Sequence, residues 1–395
     1  MNPASTLSAA LPRAARDLMV AAGLALGPMA VTGIARFAYA LLLPAMRDDL
    51  AWSYTQAGAM NAANGLGYLV GTVLSLQLAN RADARRTFAI GMLVTALTLI
   101  AAGLVRSFDA LLALRAVTGL GSALVFVSGT VLVARIGSAR LAPLAIALYF
   151  SGAGLGIVLS GVALPWLFDA RGAAAWPLGW LALGGIALLC AGPSVLACAT
   201  LPPTHTAQRR TTWPVHPLAP SFAGQCLFGT SYIVYMTFVL TWLDAHGSSA
   251  AQVATVWSVL GVAVIASPLL WRTTLRDGRG GAPLAASIVA FAAGAALPLV
   301  STTWPAMLAS AALVGSTVMI PAAASTAFVR RCVRHAGADA AMATYAVVFA
   351  AGQCLGPVLA GFIADAFGSL AAALAASVLV LLVAAALAAR QRELV

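Results

Sequence analysis

Between Leu18 and Ala389 the chain is a succession of twelve apolar runs, most close to twenty residues long and separated by short polar breaks. A helix rising 1.5 Å per residue needs about 20 apolar residues to cross the ~30 Å hydrocarbon core of a bilayer. The runs fall at 18–46, 55–79, 87–105, 109–134, 143–168, 177–200, 218–243, 251–271, 283–301, 305–329, 339–364 and 370–389. They predict an all-α integral membrane protein with twelve transmembrane helices and the lipid bilayer as its solvent. Composition agrees: 62% of residues are hydrophobic and 8% charged. Soluble domains carry about 25% charged residues, so this chain cannot clothe a globule in polar surface. The first run is too long for the 7–15-residue core of a signal peptide and reads as an uncleaved first helix.

The longest connection, Leu201 to Pro217, is rich in Pro, Thr and Arg. It divides the chain into a tail (1–17), a six-helix bundle (18–200), a central loop (201–217), a second bundle (218–389) and a short tail (390–395). Orientation follows from the arginines, because basic residues stay on the cytoplasmic side. With the N-terminus inside, only Arg47, Arg106 and Arg171 fall in outside segments, and Arg36 and Arg115 lie within helices. The other arginines are cytoplasmic, as are both termini and the central loop. The net charge of +11 is thus a topology signal, and nucleic-acid binding is not needed to explain it.

Several chemistries are excluded by what is missing. The chain has no lysine, and a phosphate-binding Walker A loop needs one. Its single glutamate, Glu393, is in the tail, which removes a His-Glu-x-x-His metal site. The five cysteines show no metal-ligand spacing and read as small hydrophobes. Asp48, Asp49, Asp109, Asp169, Asp244, Asp339 and Asp365 fall at helix ends or in loops, and the four histidines lie in loops. No buried Ser–His or Asp–Asp pair is available for an intramembrane protease. The chain is read as no enzyme, with no catalytic residue, no metal and no cofactor.

The two bundles repeat one another. Gly152, Leu155, Gly156, Val158, Leu159 and Gly161 recur 200 positions later as Gly352, Leu355, Gly356, Val358, Leu359 and Gly361. At an offset of 196, Gly33, Arg36 and Tyr39 correspond to Gly229, Tyr232 and Tyr235, and Gly65 corresponds to Gly261. Corresponding helices have the same rank in each half and both halves start inside, so the repeat is parallel.

Arg115-Ala116-Val117-Thr118-Gly119-Leu120-Gly121 opens the fourth helix and resembles the helix-4 motif of the major facilitator superfamily, an arginine with glycines four and six positions on. The loop Leu78-Ala79-Asn80-Arg81-Ala82-Asp83-Ala84-Arg85-Arg86 resembles that family's cytoplasmic gating loop. It departs at Asn80, where Asp is usual, and lacks the usual glycines; Asp83 is a candidate substitute. Arg276-Asp277-Gly278-Arg279 looks like a loose second copy. The wording of helix 1 (Gly33 to Met46), helix 7 (Ser231 to Phe238) and helix 11 (Gly352 to Pro357) is similar to the YbfB/YjiJ-type branch of bacterial major facilitator proteins. The resemblance implies two six-helix bundles rocking about a central site, lined by helices 1, 2, 4, 5, 7, 8, 10 and 11. It also implies a carrier in the bacterial cytoplasmic (inner) membrane, acting as a monomer on a small molecule by alternating access.

An arginine does not lose its charge at physiological pH, and at bilayer depth it costs at least about 2.5–3.5 kcal/mol on insertion scales. Arg36 and Arg115 therefore mark function. Counting residues from the outer helix ends places them at similar depth. With no acid nearby in the sequence, they are expected to form one anion site completed by a substrate carboxylate or phosphate. Tyr39, Asn61, Asn64, Tyr232, Tyr235, Tyr345 and Gln353 are the other candidate substrate-binding residues. Each has an alternative use in hydrogen bonding a neighbouring helix. A second reading is a proton-coupled efflux pump for amphipathic drugs or metabolites, with protons carried by helix-end aspartates.

Overall fold

The computed structural model describes residues 13–78, 81–136, 141–203, 216–333 and 335–394. Within them the chain forms twelve long rods and no strand. These are α1 Arg13–Asp49, α2 Tyr54–Leu78, α3 Ala84–Ala102, α4 Phe108–Val133, α5 Ala142–Arg171 and α6 Trp176–Ala199. The second set is α7 Ala219–Ala245, α8 Ala250–Leu270, α9 Ala282–Val300, α10 Trp304–Cys332, α11 His335–Phe367 and α12 Leu370–Ala389. Eleven of the twelve are long and apolar enough to span a bilayer. The exception is α2, which carries Asn61, Asn64 and two glutamines. It is wedged between α4 and α11, so much of its surface faces protein and tolerates polar groups.

The repeated glycines serve equivalent crossings. A Cβ on Gly156 of α5 would lie 2.4 Å from the Met29 carbonyl oxygen of α1. A Cβ on Gly356 of α11, its counterpart, would lie 1.8 Å from the Thr230 carbonyl oxygen of α7. Helix 5 thus packs on helix 1 as helix 11 packs on helix 7. Without a hydrophobic drive between helices in lipid, such close backbone approach supplies the packing energy. The same two helices carry contacts between the halves: Gly154 of α5 meets Gly261 of α8, and Gly361 of α11 meets Tyr54 of α2.

Two rods are broken where the sequence demands it. Pro28 has no N–H to donate, and from the next residue α1 runs as a π-helix over Met29–Phe37. Its last turn is closed by the Ala38 N–H on the Gly33 carbonyl, 3.2 Å. In α10 an α-helix Trp304–Thr317 gives way at Val318 and Met319 to a second, Ile320–Cys332, which begins with Pro321.

The rods alternate in direction, so both termini lie on one face, called here the terminal face. The far face is closed. Asp365 of α11 caps the N-terminus of α2, accepting from Tyr54 N at 2.9 Å, Thr55 N at 2.8 Å and Thr55 Oγ1 at 2.6 Å. This satisfies backbone donors that a helix start leaves free and fastens one half to the other.

Candidate functional site

A cavity of about 360 Å³ lies between the halves and runs from Arg36 toward the terminal face. Its walls come from α1, α2 and α4 on one side and α7, α10 and α11 on the other. The family resemblance also implied α5 and α8, but in this conformation neither lines it. Their glycines are engaged with one another across the interface, which leaves no gap there.

Arg36 stands at the inner end of this cavity, 7% exposed. The π-stretch positions it, a rare helix form that often marks functional sites. Its guanidinium donates from Nη2 to Gln353 Oε1 of α11 and lies 5.0 Å from the centre of the Tyr68 ring. Its Nε is buried without a partner. Tyr232, the residue that corresponds to Arg36 in the repeat, donates its hydroxyl to the same Gln353 oxygen at 2.8 Å. Two repeat-related side chains therefore converge on one amide. Among the described residues lining the cavity Arg36 carries the only fixed charge, and none is a carboxylate.

The rest of the wall is largely aromatic. Phe228, Tyr232 and Phe349 stack nearly parallel, with centroids 5.2–6.2 Å apart. Tyr68 and Phe126 face them from the first half, 6.5 Å apart. Such a chamber, within the usual 300–1,000 Å³ of small-molecule sites, suits a flat apolar body with one negative group.

Arg36, Tyr232 and Tyr345 thus line the cavity as expected, and Gln353 touches both Arg36 and Tyr232. The two arginines expected to share one site have different surroundings. Arg115 is 2% exposed and does not line the cavity. It donates to the Ala35 carbonyl at 2.6 Å and to Asn61 Oδ1 at 2.7 Å. Its guanidinium lies 4.9 Å from the Tyr39 ring centre and 5.6 Å from that of Trp180. Arg115 still reaches the backbone beside Arg36, at the Ala35 carbonyl. The packing of α4 against α1 and α2, however, aims Arg115 at oxygens of its own half.

Asn61, Asn64, Tyr39 and Tyr235 likewise sit outside the cavity, on the closed side. Asn61 Nδ2 donates to Thr237 Oγ1 at 2.6 Å, joining the halves. Asn64 donates to the Arg115 carbonyl at 3.2 Å, and Tyr39 to the Ala57 carbonyl at 2.8 Å. Tyr235 shares a 2.7 Å bond with Ser310. Cavity residues that sequence reasoning passed over are Tyr68, Phe126, Phe228 and Phe349. A signal was available: Phe228/Tyr232 and Tyr345/Phe349 are four apart, hence on one helix face.

At the gating loop, Asn80 lies outside the described residues. Asp83 caps α3, accepting from Arg85 N at 3.1 Å, and pairs with the Arg85 side chain at 2.7 Å. Arg85 also donates to the Leu201 carbonyl at 2.9 Å, at the end of α6. These contacts hold the first half together. Arg81 and Arg86 are exposed. In the second copy Arg276 donates to Asp277 at 2.8 Å, and that bond holds the Asp277 carboxyl below its usual range.

Comparison with known proteins fits this geometry. The family model described as "Uncharacterised MFS-type transporter YbfB" matches residues 29–389. The 4-hydroxybenzoate transporter PcaK of Acinetobacter baylyi is 29% identical over 143 residues, 36% of this chain and 31% of that protein. The match therefore spans about a third of the length of that relative. Among solved structures, a bacterial homolog of the human lysosomal transporter Spinster, inward-facing and occupied, aligns with a TM-score of 0.69 and 17% identity. That alignment covers 95% of this chain and 96% of the other. The nucleoside transporter NupG aligns with a TM-score of 0.67 and 15% identity, covering 96% and 97%. At these identities the two structures speak for the fold alone.

Proposed function

The chain belongs to the YbfB-type family of the major facilitator superfamily, and from that premise we propose that it is a secondary carrier for a small, flat organic anion. The observation that carries this reading is Arg36: a buried, permanent cation at the inner end of an aromatic-walled cavity with no carboxylate among the described residues of its lining. A monocarboxylate would bring the missing charge to the guanidinium, and its ring would lie against the Phe228–Tyr232–Phe349 stack. The partial match to a 4-hydroxybenzoate transporter supports the same class.

The transport cycle follows from the two faces. The arginine bias supports a cytoplasmic terminal face, and on that orientation the conformation described opens inward. Rocking of the halves would part α2 from α11 at the far face and close α4 against α10 and α11 at the terminal face. The bonds that must break first are those of Asp365 to Tyr54 and Thr55. Among the described residues, Asp365 is the carboxylate that fastens the halves at the far face.

Binding of benzoate and of neutral benzyl alcohol to the purified protein, read by calorimetry and by thermal shift, tests the substrate class. Benzoate raises the melting temperature by mass action; benzyl alcohol does not. Arg36→Ala weakens benzoate binding by about 10–100-fold, the worth of a charged hydrogen bond. Equal binding of the neutral compound, with Arg36→Ala unchanged, supports the efflux reading instead.

A further inference from the structure

Gln353 is fully buried, and its amide oxygen takes two donors, the Arg36 guanidinium and the Tyr232 hydroxyl. A guanidinium has donors only, so the amide must present its oxygen here and turn its nitrogen away. That nitrogen donates to the Phe349 carbonyl at 3.3 Å, one turn back on the same helix. The backbone of Gln353 is pinned as well: Gly65 of α2 packs against it, a Cβ there falling 3.2 Å from the Gln353 carbonyl oxygen. The amide oxygen is therefore held on Arg36 at the very place an anionic oxygen would take.

We infer that Gln353 is the specificity-determining residue of the site, a neutral internal stand-in on Arg36 that a substrate carboxylate must replace. The inference rests on the reading of the cavity as an anion site and deepens it. An amide oxygen gives Arg36 a neutral acceptor. A carboxylate gives a shorter, charge-assisted and bidentate partner, roughly twice as strong, and it also engages the Nε that now has no partner. Exchange is downhill for an anion. A neutral ligand with an amide or hydroxyl would trade one neutral acceptor for another and gain nothing on Arg36. The stand-in thus excludes neutral aromatic compounds that the apolar walls alone would accept. It has a second consequence. Arg36 belongs to α1 and Gln353 to α11, so the bond ties the halves at the inner end of the cavity, and the arriving anion releases that tie.

The test uses benzoate and its neutral isostere benzamide on the purified full chain, with binding by calorimetry and folding checked by melting. Wild type binds benzoate and rejects benzamide. The Q353E variant places a fixed carboxylate on Arg36 with almost no change of shape, and it loses benzoate binding by roughly 30-fold or more. The Q353M variant keeps volume but removes the competing oxygen, and it binds benzoate about 3–10-fold tighter. Wild-type binding of benzoate with both variants unchanged overturns the role of Gln353 and leaves the anion reading standing. Failure of wild type to bind benzoate or any other aromatic carboxylate overturns both.

Discussion

Arg115 shows how a membrane protein can keep an uncompensated cation. Its charge meets the Ala35 and Asn61 oxygens and the faces of Tyr39 and Trp180, with no carboxylate in contact. Charged hydrogen bonds of about 1.5–3 kcal/mol each and cation–π contacts of up to ~2 kcal/mol offset the cost of its depth. The Arg115→Met substitution leaves Asn61 Oδ1 without this donor and is expected to cost about 2–3 kcal/mol, read as a lowered melting temperature in detergent. Arg115 does not line the cavity, although it donates to the Ala35 carbonyl beside Arg36, so benzoate affinity should change much less than in Arg36→Ala. Arg36→Ala should do the reverse: little loss of stability and a large loss of affinity. A matched pair of effects would return the two arginines to one site. The contrast follows from their partners, since Arg36 is held by one neutral amide and one ring and Arg115 by two oxygens and two rings.

Among the elements, α2 and α11 form the seam that decides which face is open. Asp365 caps α2 from α11 with three bonds, and Gly58 lies so close to Pro357 that a Cβ would stand 2.1 Å from its carbonyl oxygen. Glycine allows the closure; the carboxylate fastens it. Asp365→Ala removes the cap at a cost of about 1 kcal/mol, so the equilibrium shifts roughly five-fold toward opening at the far face. A cysteine replacing Thr237, in a background without the native cysteines, should then react correspondingly faster with an impermeant maleimide applied from outside. An unchanged rate would deny the latch. The π-stretch of α1 is the other decisive element. It begins after Pro28 and ends at Phe37, and within it neighbouring residues serve opposite sides: Arg36 reaches the cavity, and the Ala35 carbonyl receives Arg115.

For the molecule as a whole, the parallel repeat produces two similar halves, which in the proposed cycle rock between two states. A disulfide between cysteines replacing Thr55 and Asp365, whose side chains lie 2.6 Å apart, should hold the far face shut. Benzoate binding from the terminal face is expected to survive this cross-link and transport in proteoliposomes to stop; transport that persists would exclude the rocking motion. Much of this architecture was legible in the residues. Twelve apolar runs and the glycines repeated at an offset of 200 determine helices and duplication, because bilayer thickness and close backbone packing each act on local sequence. Arg36 stood out for the same reason: a charge in an apolar run is costly wherever the chain goes. Its partners were a different matter. That Gln353 would reach Arg36 from more than 300 positions away, that Arg115 would turn to Ala35 and Asn61, and that aromatic rings from both halves would enclose one chamber were decided only by tertiary packing. Helix rotation and the relative tilt of the two halves set those contacts, and neither is written in the periodicity of a helix that is apolar nearly all the way round.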